Sequence, residues 1–177
     1  MKSIREAARR ALTWKLMNDT YELRSGPDLV ATLRWQKGSL FLGEAVEGRW
    51  TFKRAGFLRP KVTVRLENSP TNLATLGFSG SGGRLEVTDG RAYFWTAARA
   101  EWSIKDAAGN VLIQMKSTGA PGNLSGEVEL TPAALALPEV SFLILLSWYV
   151  LVWQSTDLAV GEAAMVGSLV GLFAGSL

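Results

Sequence analysis

The amino-acid sequence predicts an all-β protein, a closed antiparallel barrel of about twelve strands that encloses one hydrophobic C-terminal helix. Short segments rich in aromatic and β-branched residues recur about every 8–12 residues from Thr13 to Thr131, separated by Gly, Asn, Asp and Pro. Apolar and polar residues alternate within most of these segments, as they do in half-buried strands. Residues 140–156 then form one apolar stretch without any charge.

Composition excludes much chemistry. The chain has 177 residues, 47% of them hydrophobic and 20% charged, which predicts one domain with a packed core. It contains neither cysteine nor histidine. Disulfides, thiol catalysis, Ser-His-Asp systems and sites with Cys or His metal ligands are therefore excluded. No paired-carboxylate constellation stands out, so we expect a protein that is not an enzyme, with no catalytic residues, cofactor or metal.

The N-terminal segment, residues 1–12, predicts a short basic helix because Ala, Arg, Leu and Glu dominate it. It has no apolar run of the length that a secretory signal needs. Together with the absence of cysteine, this predicts a cytoplasmic protein, with attachment to the periphery of a membrane left open.

Twelve strands follow in antiparallel order. In one of them Val62 and Val64 share a face while Thr63 and Arg65 take the other. Asp89-Gly90 between two alternating runs is a strong hairpin signal. The same alternation predicts that three tryptophans, Trp35, Trp50 and Trp102, face inward. The strands are predicted at 14–17, 21–25, 29–36, 40–46, 49–54, 61–68, 73–78, 84–88, 91–97, 100–106, 111–116 and 124–131.

A hydrophobic helix is predicted at 139–156, where Pro138 and Glu139 suit its first turn. A helix that is apolar all round has to be surrounded by protein or by lipid. A barrel of twelve strands has a lumen, and its height of about 18 Å matches a 14-residue helix of about 21 Å. We therefore predict one domain over 13–157 with this helix at its centre. A membrane anchor is the alternative.

The tail, residues 158–177, is apolar and carries one charge. Gly167, Gly171 and Gly175 have the spacing that lets helices approach closely. Two interpretations stay open: the tail packs on the barrel or on a second copy of the chain, or it enters a membrane as a hairpin with the preceding helix.

The candidate binding site is a basic stretch. Residues 1–65 hold 14 Lys and Arg against 6 Asp and Glu, whereas the rest holds 5 against 10. No acidic residue occurs between positions 48 and 66. Cations on adjacent strands favour an anionic ligand, such as a lipid head group, another phosphate or nucleic acid. The alternative is a solvated face paired with Glu44, Glu47 or Glu67. The six candidates are Arg49, Lys53, Arg54, Arg59, Lys61 and Arg65.

The order of these elements resembles a known family. The segments that carry the likeness are YELRSGPDLVATLRW, EGRWTFKRAGF, LEVTDGRAYFW, AEWSIKDAAGNVL and PEVSFLILLSWYVLVW. Over residues 14–156 the chain resembles the Tubby C-terminal-like superfamily, which includes the LURP-one-related proteins and the phospholipid scramblases. The resemblance implies a helix through the barrel and binding of phosphoinositide head groups by Lys and Arg on its surface. The cysteine-rich region and an acidic calcium loop of the scramblases are missing.

These observations predict a non-catalytic module that binds an anionic ligand, with a phospholipid head group as the leading choice. Three alternatives stay open: a nucleic-acid-binding module, a structural protein that assembles into a homo-oligomer through the tail, and a β domain anchored in a membrane by its C-terminus.

Overall fold

The computed structural model describes residues 1–56, 59–79, 82–98, 101–120 and 122–173, with 157–173 described as helical backbone only. The predicted sheet is confirmed: twelve antiparallel strands form a closed barrel, in which each strand pairs with its neighbours in sequence and β1 pairs with β12. The strands are β1 (Leu12–Met17), β2 (Thr20–Ser25), β3 (Asp28–Lys37), β4 (Leu40–Ala45), β5 (Gly48–Ala55), β6 (Lys61–Leu66), β7 (Ala74–Ser79), β8 (Gly82–Val87), β9 (Ala92–Ala98), β10 (Glu101–Lys105), β11 (Val111–Thr118) and β12 (Ser125–Leu130).

The predicted strand boundaries agree with the observed ones to within two residues. Ala100, predicted as the first residue of a strand, lies outside the described residues. The turns follow local chemistry: Asn18 and Asp19 have φ of 47° and 62°, which the short side chains of these residue types tolerate. Asp89-Gly90 joins β8 to β9 as predicted, with Gly90 at φ 92°.

Closure depends on a short ladder. β1 and β12 share three residue pairs, Leu12 with Val128, Thr13 with Glu127 and Trp14 with Gly126. A Cβ atom on Gly126 would lie 2.4 Å from the Lys116 carbonyl oxygen and 2.8 Å from the Trp148 ring. Only glycine fits there, because a backbone oxygen cannot move aside as the end of a side chain can.

Three helices complete the fold of the described residues. α1 (Ile4–Ala7) is shorter than the predicted helix over 1–12, and α2 (Pro132–Leu135) follows β12. Both lie at the end of the barrel where β12 ends, which we call the first end. Arg5 donates to the carbonyl oxygens of Leu135 and Leu137, at 2.9 and 2.8 Å, so α1 is held to the segment before the last helix.

The last helix, α3 (Val140–Phe173), is longer than predicted. The sequence predicts an end at residue 156 because Asp157 is the first charge after the apolar stretch. The Ser155 and Thr156 hydroxyls donate to the Val152 carbonyl oxygen, at 2.8 and 2.9 Å, within the same helix. The helix continues past Asp157 to Phe173, so the hairpin considered for the tail does not form over these residues. Gly175 lies outside the described residues.

Residues 140–152 of α3 are all buried. Trp148 stacks on Trp14 of β1 with ring centroids 5.3 Å apart. Tyr149 packs against Phe52 of β5, with centroids 5.9 Å apart, and its hydroxyl donates to the Ser39 carbonyl oxygen at 2.8 Å. Within the part of the chain whose side chains are described, no helix is long and apolar enough to cross a membrane.

The three tryptophans that are predicted to face inward differ in how far they are buried. Trp50 is buried as predicted, and Trp102 is half-buried. The prediction for Trp35 is wrong, since 57% of it is exposed. Trp35 lies opposite Phe41 near the end of β3, where a register shift precedes Lys37, so its side chain emerges at the end of the barrel instead of inside it.

Replacing Gly126 tests the closure. We expect Gly126→Ala to lower the free energy of unfolding by about 1–3 kcal/mol because the new methyl group has no space. Gly77→Ala is the matched control: a Cβ there meets nothing within 4 Å, and we expect a change below about 0.5 kcal/mol. Urea denaturation followed by tryptophan fluorescence measures both. Equal stability of the two variants would contradict the role of Gly126.

Candidate functional site

The six predicted cations lie on or next to the hairpin of β5 and β6. In this ladder Thr51 pairs with Arg65, Lys53 with Thr63, and Ala55 with Lys61. Paired residues face the same side of a sheet, and the alternate residues Phe52 and Val64 are buried, so Lys53, Lys61 and Arg65 face outward together.

The other three of the six predicted residues lie outside this group. Arg49 binds Glu67 at 2.8 Å and lies 3.7 Å from Glu44, which is the solvated-face alternative of the sequence analysis. Arg54 has the inward parity of Phe52 and lies over the ring of Trp153, 4.5 Å from its centroid. Arg59 is exposed in the connection between the two strands. The structure therefore brings together three of the six predicted residues on the outer face.

We call Lys53, Lys61 and Arg65 the basic triad. Lys53 faces Thr63, and the other two cations stand one outward position to either side of Thr63, at the diagonal spacing of about 7–8 Å. Among the described residues, none of the three forms an ion pair with a carboxylate. Arg65 donates from Nε to the Asn72 amide oxygen at 2.8 Å, which holds its guanidinium in place.

At this spacing Lys53 repels each of the other two cations by about 0.5 kcal/mol in water. An anion placed between them would replace this repulsion with attraction and accept hydrogen bonds from all three side chains. The arrangement suits phosphate oxygens.

Arg84 extends the triad, although the sequence analysis did not select it. Lys61 pairs with Gly77, and Gly77 pairs with Arg84, so the two cations face outward about 10 Å apart with an open backbone between them. Arg84 also contacts Glu86 at 3.2 Å. Arg84 is far from the other cations in the sequence. Only the register of β7 and β8 brings it near them.

A second polar cluster lies at the first end of the barrel. Glu139, which is 5% exposed, accepts a hydrogen bond from Arg91 Nη1 at 2.6 Å and another from the Tyr93 hydroxyl. Arg91 also binds Asp89, and this bond holds the pKa of Asp89 below its usual range. A cleft of about 320 Å³ opens beside the cluster, lined in part by Trp50 and Phe142.

Burial raises the pKa of Tyr93, and the hydrogen bond to Glu139 and the charge of that carboxylate raise it further. Both oxygens of Glu139 have partners, so the cluster fastens the start of α3 to β9 instead of supplying a general base. From the sequence alone, Glu139 is predicted only to lie in the first turn of the helix. Its partners Arg91 and Tyr93 are 48 and 46 residues away, where no local pattern connects them.

Comparison of the chain with protein-family models, with curated proteins and with solved structures finds no match. The resemblance to the Tubby C-terminal-like superfamily therefore stays a prediction. No group of acidic residues that could hold a metal ion occurs in the described part of the chain.

Because the pKa of Tyr93 is raised in the fold, we expect the free energy of unfolding to fall as the pH rises above 10. In the unfolded chain Tyr93 loses its proton near its ordinary pKa of 10.0, whereas in the folded protein it keeps the proton to higher pH. Above pH 10 the unfolded state therefore binds fewer protons, and stability falls by up to about 1.4 kcal/mol per pH unit. We expect Tyr93→Phe to flatten this decline in urea titrations.

Asp89→Asn is the control for that experiment. Its carboxyl is ionised in both states above pH 10, so the variant should keep the slope of the original protein. An unchanged slope in Tyr93→Phe would show that Tyr93 does not hold its proton in the fold.

Proposed function

We propose that the protein is a non-catalytic, tubby-like module that binds the phosphate of a lipid head group with the basic triad on the outside of its barrel. The observation that carries the proposal is the outward placement of Lys53, Lys61 and Arg65 on two adjacent strands, with no carboxylate bound to them among the described residues. Lys and Arg are the side chains that proteins use most for phosphate.

A rigid scaffold supports this function, and we propose that α3 supplies it by filling the lumen of the barrel. Trp148 contacts Trp14 of β1, whereas Trp153 packs against Phe78 of β7, with ring centroids 5.5 Å apart. β1 and β7 stand six positions apart in a ring of twelve, on opposite sides. A helix that touches both walls and is buried over 140–152 fits the lumen that twelve strands leave.

The filled barrel explains why binding would take place on its outside. In this arrangement large apolar side chains from the wall and from α3 occupy the interior, an environment that disfavours a polar ligand. The β5–β6 ladder is held from behind by Phe52 and Val64, which are fully buried. The triad is therefore attached to a stiff surface, which lowers the entropy cost of ordering its side chains around a phosphate.

The position of α3 can be tested with cysteine labelling because the chain has no cysteine of its own. Ser147 is fully buried in α3, whereas Thr156 is exposed on the same helix. We expect a maleimide to modify Ser147→Cys at least about 100-fold more slowly than Thr156→Cys, since reaction at position 147 requires opening of the barrel. Equal rates in the folded protein would contradict a filled lumen.

Head-group binding can be tested by sedimentation with vesicles. We expect the full chain to bind phosphatidylcholine vesicles that contain phosphatidylserine, and not pure phosphatidylcholine. Each basic residue near such a surface contributes about 1 kcal/mol, so Lys53→Glu with Lys61→Glu should weaken binding at least about tenfold.

The matched control combines Lys15→Glu with Lys116→Glu, on β1 and β11, which changes the net charge equally at another face. If the Lys53/Lys61 double variant keeps its binding to vesicles, or if both double variants lose binding equally, the proposed role of the basic triad is contradicted. Salt-dependent binding to DNA without binding to vesicles would contradict the lipid proposal and favour the nucleic-acid alternative.

A further inference from the structure

The end of the barrel opposite α1 and α2, which we call the second end, carries an exposed tryptophan. Trp35 is 57% exposed, and its Nε1 donates to the Gly38 carbonyl oxygen at 2.9 Å within the β3–β4 hairpin. The indole is therefore held in one orientation while most of its ring meets solvent. Of the exposed large hydrophobic residues in the described part of the chain, Trp35 shows the largest fraction of its surface.

Clefts flank the indole on two sides. One, of about 250 Å³, is lined in part by Phe41, Tyr149 and Trp153. The other, of about 490 Å³, is lined in part by Leu16 and Arg34. Because Trp35 borders both clefts, its ring stands between two depressions instead of packing into a neighbouring surface.

Cations lie on the same strand as this tryptophan and on nearby strands. Lys37 pairs with Leu40, and Leu40 pairs with Lys53, so Lys37 and Lys53 lie in one row two strands apart. Arg54 lies over Trp153 on the wall of the first cleft. We call Trp35, Lys37 and Lys53 the tryptophan rim. It shares Lys53 with the basic triad, so the rim and the triad form one continuous surface.

We propose that the tryptophan rim docks on an anionic lipid bilayer, with the Trp35 indole in the head-group region and the cations of the rim on lipid phosphates. This inference rests on the proposed function and gives it an orientation: the second end of the barrel faces the membrane. A water-soluble phosphate would be bound by the triad alone and would have no use for an exposed indole.

Two physical arguments favour a bilayer. Tryptophan is enriched at membrane interfaces because it has a large apolar body and one polar N–H group. Cations beside it gain from the negative potential of anionic lipids within about a Debye length of the surface. The rim combines both features at one end, whereas the first end is covered by α1 and α2 and closed by the Glu139 cluster.

The test uses the full chain, phosphatidylserine-containing vesicles and phosphatidylcholine brominated in its acyl chains as a fluorescence quencher. We expect quenching on binding that is largely lost in Trp35→Phe. Trp102→Phe, a half-buried tryptophan five strands away around the barrel, is the control and should keep it. Trp35→Ala should weaken vesicle binding about fivefold, since the ring leaves the interface.

The outcomes separate this inference from the proposed function. Vesicle binding that depends on Lys53 and Lys61, with equal quenching in the original protein and in Trp35→Phe, would overturn the docking orientation and leave head-group binding intact. Absence of vesicle binding by the original protein would overturn both. Loss of quenching in Trp35→Phe alone, with circular dichroism unchanged, would support the rim.

Discussion

The sheet closes on itself through three residue pairs between β1 and β12, and the arrangement of the other strands depends on this short ladder. Closure leaves no open edge, so each strand finds its hydrogen-bond partners within the same ring. Gly126 makes the last pair possible because it has no side chain between the Lys116 carbonyl and the Trp148 indole. Trp14, on the other side of that pair, stacks on the same indole, so the seam of the barrel and α3 are packed as one unit.

The ring also decides which charges meet. Register places Arg49 beside both Glu44 and Glu67, and it places Lys53 among Lys61, Arg65 and Thr63, where no described carboxylate binds a cation. A run of basic residues that looks uniform in the chain is therefore divided into a paired arginine, an arginine over an aromatic ring, an exposed arginine in the connection and an outward triad. The proposed phosphate site is the outward triad.

The two ends of the barrel differ in whether their polar and charged groups are paired or exposed to solvent. At the first end, α1 and α2 cover the opening, and Glu139 binds Arg91 and Tyr93 in a buried cluster. At the second end, an indole and several cations meet solvent. Polar groups that are fully satisfied hold a structure together, whereas exposed apolar and cationic groups side by side suit a surface with the opposite charge and an apolar interior. This asymmetry is the physical basis of the proposed orientation.

Local sequence patterns are sufficient to predict the twelve strands, their antiparallel order and their boundaries to within two residues. Alternation, as in Val62 and Val64, and turn residues, as in Asp89-Gly90, act between neighbours in the chain. Features that depend on distant partners follow only from the folded chain: the closure at Gly126, the pairing of Arg49 with Glu67 and the contact of Glu139 with Tyr93 of β9. Alternation along β3 predicts an inward side chain for Trp35, but this residue lies at the end of the barrel, where the wall no longer covers it. Local periodicity specifies which face a side chain takes, but only the register of the closed ring specifies what stands opposite that face.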